Sequence, residues 1–241
     1  MCTISWLVSD TGYQIFFNRD ERKTRAQALP PAVIQENGVN SIMPIDPVGQ
    51  GSWCAVNEHG ISFALLNYYQ GRLPKGHLRS RGQVVRQCAS YNNLAEAKDF
   101  VRSLNHQKYP PYSLLCFCPK ALSTQISMLR WNGRELIECE QVSPLISSAV
   151  KYDEVFASRI NVYKSLVGNK AAQARTQDDH FSLHASHIPE KSSKSICMHR
   201  EEAQTVSFSQ VSVNTTDIEF LYADGPPCQA PLVKVASLSR N

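Results

Sequence analysis

Short apolar and β-branched runs follow one another closely at the start of the chain, over residues 3–8, 13–18, 32–35, 53–57 and 61–67, and predict strands. Asp10-Thr11-Gly12 and Asn57-Glu58-His59-Gly60 place glycine where a hairpin needs positive φ, so neighbouring runs should pair antiparallel. The period then changes. Leu94, Ala97, Phe100, Val101 and Leu104 fall at helical spacing, and Asn93 with Glu96 three residues later resembles a capping box with Asn in the capping position. Residues 82–90 predict a preceding helix. Strands return over 112–118, 125–131 and 135–139, with Asn132-Gly133 as a hairpin turn between the last two. Val155, Ile160, Tyr163 and Val167 give an apolar stripe to a helix over 153–167, and the polar stretch 168–194 has room for one more. Three strands, 195–198, 205–213 and 218–223, lead to the turn Asp224-Gly225-Pro226-Pro227. Strands, then helices, then strands predict an α+β fold rather than a parallel doubly wound sheet.

Length and composition narrow the picture. The 241 residues suit a single domain spanning residues 1–241, with no internal repeat and no linker. Hydrophobic residues at 42% and charged residues at 19% exclude disordered and low-complexity classes. A net charge of +4, from 25 basic against 21 acidic residues with no basic run, excludes a nucleic-acid footprint. No stretch reaches membrane-spanning length, and the opening does not read as a signal peptide, so no integral membrane contact and a cytoplasmic location are expected. The eight cysteines, mostly inside apolar runs, are then reduced thiols, and the absence of Cys-x-x-Cys argues against a structural zinc site.

Cys2 is the first chemical candidate. Loss of Met1 would leave a thiol and an α-amine on one residue, and an amine with an ordinary pKa near about 8 can take the thiol proton. Asn18-Arg19-Asp20-Glu21 follows the second predicted strand, beside the start of the first. Its cation would stabilise a thiolate, and its acid would hold an ammonium or a water. The plainer readings are a small residue at a strand start and a solvated charged turn.

Taken together, Met1-Cys2 and Asn18-Arg19-Asp20-Glu21 resemble the NRDE family, also called the transport and Golgi organisation family. Further similarity lies in Gly51-Ser52-Trp53 running to Asn57-Glu58-His59-Gly60, in Phe63-Ala64-Leu65-Leu66-Asn67, in Ser80-Arg81-Gly82, and from Arg200 to Thr205; residues 1–90 carry most of it. That family is similar in turn to the N-terminal nucleophile hydrolases, which implies a four-layer αββα sandwich of two antiparallel sheets. By comparison with the choloylglycine hydrolases, the resemblance implies Cys2 as nucleophile, Arg19 as thiolate partner, Asp20 as amine or water anchor, Asn67 as oxyanion donor and Arg200 as a pocket arginine, with Asn18 and Tyr68 beside the ligand. This chain departs from those hydrolases in two places. Arg19 and Asp20 are adjacent rather than two residues apart, so in a strand they point to opposite faces, and serines stand in Pro144-Leu145-Ile146-Ser147-Ser148 where a second asparagine would be. The family resemblance implies haem binding and trafficking, with no required cofactor; the alternative is a Cys2-dependent amidohydrolase acting on a non-peptide C–N bond of an acyl conjugate. An anionic, partly apolar small molecule, haem or an acyl conjugate, would meet the arginines through its carboxylates.

Three more features invite a chemical reading. His180, His184 and His187 fall on one helical face and are weighed as metal or porphyrin ligands against a plain exposed face. Cys116 and Cys118 share a face of a core strand, where burial is the expectation. Tyr68 and Tyr69, directly after Asn67, either line a pocket mouth or pack on the surface.

Overall fold

The computed structural model describes residues 1–119 and 124–241. Among the described residues, thirteen strands form two antiparallel sheets. The first has the order β10-β1-β2-β11-β12-β13, built from β1 (Cys2–Ser9), β2 (Gly12–Arg22), β10 (Leu145–Ser147), β11 (Ala203–Val213), β12 (Asp217–Ala223) and β13 (Val233–Ser239). The second runs β3-β4-β5-β6-β7-β8-β9, from β3 (Leu29–Glu36), β4 (Val39–Ile45), β5 (Cys54–Asn57), β6 (Ser62–Asn67), β7 (Tyr112–Pro119), β8 (Thr124–Trp131) and β9 (Leu136–Cys139). Helices α1 (Gly82–Cys88) and α2 (Leu94–Ser103) cover the outer face of the second sheet; α3 (Tyr152–Tyr163) and α4 (Gln177–Ala185) cover that of the first. The layers are therefore α, β, β, α. No helix among the described residues is long and apolar enough to cross a membrane.

The two-residue period of the strands assigns each side chain to a layer. On β2, Tyr13, Ile15 and Phe17 point between the sheets into a core shared with Ile4, Trp6, Trp53, Leu66 and Phe117. On the other face, Phe16 packs with Phe208 beneath the helices. β1 alternates in step: Ile4 and Trp6 enter the inter-sheet core, whereas Ser5 reaches His180 and His184 of α4. Asn93 caps α2 as expected, its side chain accepting from Glu96 N at 2.9 Å.

The differences from the sequence reading have local causes. β4, β10 and β13 were not foreseen: β4 carries Pro44, β10 has only three residues, and β13 is an edge strand with Lys234 inside it. Residues 195–198 form a bending segment that joins no ladder, because other groups satisfy their backbone. Cys197 N donates to Ser186 O at 3.0 Å, and Met198 N donates to Thr205 Oγ1 at 2.9 Å. The stripe over 153–167 is helical, but it leaves the α-form at Tyr163 for a π-turn over Lys164–Gly168.

One ion pair ties the first sheet to its helix layer. Arg159 of α3 contacts Asp20 Oδ2 of β2 through Nη1 at 3.3 Å and Nη2 at 3.2 Å, with both side chains 0% exposed. Arg159 also donates to Thr3 Oγ1 at 2.6 Å and Ser193 O at 3.1 Å, and Thr205 donates to Asp20 Oδ1 at 2.7 Å. These hydrogen bonds offset the desolvation of both ions. Replacing Arg159 by Met strands a buried carboxylate and should cost about 3–5 kcal/mol in urea unfolding, part of it returned by adding Asp20→Asn. An Arg159→Met protein as stable as the parent would contradict this assignment.

Candidate active site

β1 begins at Cys2, which lies between two neighbours, opposite Arg19 of β2 and opposite Ser147 of β10. Having the same parity as Ile4 and Trp6, Cys2 packs against the inter-sheet core; Arg19, two residues beyond Phe17, follows the same face. Both border a cavity of about 400 Å³ whose wall includes Trp53, Leu65, Asn67 and Arg81. The Arg19 guanidinium lies 4.3 Å from the Trp53 ring centroid, a cation–π contact, and 3.8 Å from Asp46 Oδ2. The wall closes where the chain before β5 meets the start of α1. A Cβ on Gly51 would sit 2.2 Å from the Gly82 carbonyl carbon, so only glycine permits this approach, which Ser52 N to Gly82 O at 3.0 Å then fixes.

Burial pushes the Cys2 thiol above its ordinary pKa, against the lowering pull of the chain's α-ammonium; Asp20 adds to the rise and Arg19 opposes it. With Met1 attached, that ammonium belongs to Met1. Met1 N donates to Asp20 O at 3.3 Å, Asp20 N donates to Met1 O at 3.1 Å, and Ser148 Oγ lies 2.9 Å from Met1 Sδ. Removing Met1 would transfer the α-amine to Cys2 and free the Asp20 N–H beside it, while the Ser148 hydroxyl keeps Val150 O as its acceptor.

Asn67 ends β6 at the cavity wall, and its Nδ2 donates to Tyr69 Oη at 2.8 Å, leaving its second N–H to other acceptors. Burial raises the Tyr69 pKa, the Asn67 hydrogen bond opposes the rise, and the charge of a Cys2 thiolate adds to it. Arg81 donates to Pro111 O at 3.1 Å; burial lowers its pKa, while Tyr69, Cys2 and Glu21 act in the opposite sense. Arg25 pairs with Asp46, whose pKa burial alone would raise but which the Arg25 hydrogen bond and the Val48 N–H bring below the ordinary value. Four arginines, Arg19, Arg25, Arg79 and Arg81, thus border the cavity with three acids, Asp20, Glu21 and Asp46; Arg19 and Arg25 pair with Asp46, and the Asp20 carboxylate turns away to Arg159.

Cys2, Arg19 and Asn67 therefore meet, and the other expected residues do not join them through their side chains. Asp20 anchors the amine end through its main chain, while its carboxylate turns to Arg159. Asn18, of the same parity, donates from Nδ2 to His184 O at 2.9 Å and Ile196 O at 3.0 Å beneath α4, outside the cavity. Arg200 pairs with Glu202 away from the cavity wall. Tyr68 is also off the wall, its ring 4.6 Å from the Arg130 guanidinium carbon. Ser147, where a second asparagine would be, has a buried Oγ with no hydrogen-bond partner among the described residues.

The three histidines do not share one site. His180 Nδ1 and His184 Nε2 lie 2.7 and 2.9 Å from Ser5 Oγ, His180 stacks on Phe16 at 4.7 Å, and burial pushes its pKa down to about 4. Both are core residues, whereas His187 stands apart beside His199. Cys116 is buried in β7, as expected, whereas Cys118 nearer the strand end is only half-buried. A larger hollow of about 800 Å³ lies at the far end of β1, around Ser9 and Asp10, and no cysteine lines it. Sequence reasoning missed Arg25, Asp46 and Arg79 altogether. Trp53 and Arg81 stood inside segments already singled out, Gly51-Ser52-Trp53 and Ser80-Arg81-Gly82, but a glycine beside each was the only hint of backbone crowding there.

The architecture is shared with solved structures of low sequence identity. Penicillin V acylase from Agrobacterium tumefaciens is 8% identical, with TM-score 0.53, over 98% of this chain and 98% of that chain. A C2A mutant of conjugated bile acid hydrolase from Clostridium perfringens is 12% identical, with TM-score 0.54, over 98% and 97%. The Caenorhabditis elegans orthologue of N-acylethanolamine-hydrolyzing acid amidase is 12% identical, with TM-score 0.56, over 87% and 92%. These similarities establish the N-terminal nucleophile hydrolase fold. No curated protein matches at the sequence level. The profile of the family described as Transport and Golgi organisation 2 matches residues 1–215, and the chain belongs to that family.

Proposed function

We propose that this chain is a thiol-dependent amidohydrolase that cleaves a non-peptide C–N bond of an anionic acyl conjugate, with Cys2 as nucleophile after loss of Met1. The observation that supports it is the shared cavity of Cys2, Arg19 and Asn67, with Cys2 and Arg19 directly opposite in the β1–β2 register. The fold it shares with a conjugated bile acid hydrolase, an N-acylethanolamine-hydrolyzing acid amidase and a penicillin V acylase adds support.

In the first half-reaction the Cys2 thiol gives its proton to its own α-amine, and the sulfur attacks the carbonyl carbon, forming a C–S bond. Asn67 Nδ2–H and the freed Asp20 N–H are the available donors to the oxyanion, and a well-aimed donor is worth about 2.7–4 kcal/mol of barrier. The C–N bond then breaks, and the leaving amine takes the proton from the α-ammonium. In the second half-reaction the α-amine accepts a proton from water, the hydroxide adds to the thioester, the C–S bond breaks, and sulfur recovers its proton. Arg19 and Arg81 bind the anionic part of the substrate, and Leu65 and Trp53 pack its apolar part.

A second reading, non-covalent binding of an anionic amphiphile such as haem, is favoured by the excess of arginines around Trp53. Cys2→Ala separates the two, since a carrier keeps its affinity while a hydrolase loses turnover. Haem absorption spectra unchanged on titration would remove the carrier reading.

Against a panel of N-acyl amides, Cys2→Ala should lower kcat by at least about 10³-fold, and an N-terminal extension before Met1 should do the same by keeping the amine away from sulfur. Turnover that survives either change would refute the proposal. The pH dependence follows from the raised thiol pKa: with Met1 retained, Cys2 stays protonated at neutral pH, and its alkylation rate should climb only as pH rises past the ordinary thiol range. In processed protein the adjoining ammonium should move that rise to lower pH. Identical rate profiles for the two forms would show that the amine does not act on the thiol.

A further inference from the structure

A second group of reactive side chains lies outside the Cys2 cavity, none of its members lining that wall. We propose that His187, Cys197, His199 and Cys228 form a four-coordinate site for a zinc-class divalent cation.

Their ligand atoms all lie within 4.8 Å of one another. His199 Nε2 is 3.6 Å from Cys197 Sγ and 3.3 Å from Cys228 Sγ, and the two sulfurs are 3.5 Å apart. A tetrahedron with zinc–sulfur bonds of about 2.3 Å and zinc–nitrogen bonds of about 2.05 Å has edges of about 3.8 Å between sulfurs and about 3.6 Å from sulfur to nitrogen. Cys197, His199 and Cys228 thus stand within a few tenths of an ångström of the spacing such an ion requires, and His187 lies close enough to complete the set with a small side-chain adjustment. His187 supplies the independent sign. Its Nε2 is buried with no hydrogen-bond partner among the described residues, and its ring meets that of His199 edge-on at 5.1 Å between centroids. A buried ring nitrogen with no partner is a cost that coordination to a cation would remove. A Cys197–Cys228 disulfide would use both sulfurs but would leave this nitrogen unexplained.

The donor set fixes the class of ion. Two thiolates and two neutral imidazoles cancel a double positive charge, suit a borderline-soft ion, and leave no position open for substrate, so the role is structural. Binding releases two thiol protons to solvent, and affinity should fall as pH falls. The site would join three separate segments: the exit of α4, the irregular stretch 195–199 and the turn between β12 and β13. That stretch is also where Met198 hydrogen-bonds Thr205, the residue that donates to Asp20. Nine, one and twenty-eight residues separate successive ligands. The absence of Cys-x-x-Cys therefore said nothing about this site, because folding rather than sequence proximity assembles it.

Cobalt(II) titration of the reduced, metal-stripped full chain tests the proposal. One equivalent should produce intense visible bands of tetrahedral cobalt together with near-ultraviolet thiolate charge-transfer bands, and zinc should displace both. Cys228→Ser and His187→Ala, each confirmed as folded by circular dichroism, should abolish or redistribute these bands, while Cys139→Ser on β9 should leave them intact. Should Cys228→Ser not fold, the half-buried His187→Ala carries the test. Reduced protein without such bands, or bands unaffected by changing His187 and Cys228, would overturn the assignment. So would a Cys197–Cys228 disulfide in protein isolated anaerobically.

Discussion

The pleat of β1 and β2 is the constraint on which the candidate site depends. Two adjacent antiparallel strands with a two-residue period can send alternate side chains to only two places, and here the places are chemically opposite. Cys2 and Arg19 go to the inter-sheet side, where the cavity opens; Thr3 and Asp20 go to the helix side, where Arg159 waits. A slip of one residue in β1 would turn the thiol to the helices, and a slip in β2 would send the carboxylate into the cavity in place of Arg19. The Asp20–Arg159–Thr205 cluster opposes such a slip, because any other register leaves buried charges unpaired.

This division of labour explains how adjacent Arg19 and Asp20 both contribute to one end of the fold. Arg19 faces the cavity with its side chain, over Trp53. Asp20 holds the chain terminus with its peptide N–H and C=O, while its carboxylate secures the sheet to α3. A motif of four polar residues is thereby read on both sides of a sheet. The cavity that results is polar and cationic at its rim, with Leu65 and Trp53 in its wall, and an acyl chain ending in a carboxylate matches that pattern.

Much of this was legible in the sequence. Strand and helix periods pointed to an α+β fold and the turns to antiparallel hairpins, because both signals are local, whereas the αββα layering was implied by the family resemblance; of the two glycines expected at positive φ, Gly60 adopts it and Gly12 does not. The opposite facing of Arg19 and Asp20 followed from parity alone. Other features depended on contacts between distant segments. Arg159 lies on a helix with no motif around it, yet it is the buried counterion of Asp20 across 139 residues. Asn18, which belongs to the same tetrad as Arg19, turns out to brace the carbonyls of His184 and Ile196. The His180 and His184 pair illustrates the limit of helical spacing: sharing a face says nothing of whether the face meets solvent, and Ser5 and Phe16 decided that it does not.

The central claim is that the Cys2 sulfur itself carries the acyl group inside the cavity it shares with Arg19 and Asn67. Acid quenching of processed protein during turnover of an N-acyl amide, followed by peptide mass spectrometry, measures this directly. The account predicts the acyl mass on the N-terminal peptide at Cys2 and on no other cysteine. Acylation at Cys118, Cys139 or Cys228 instead, or product formed with no acylated cysteine at any quench time, would contradict it.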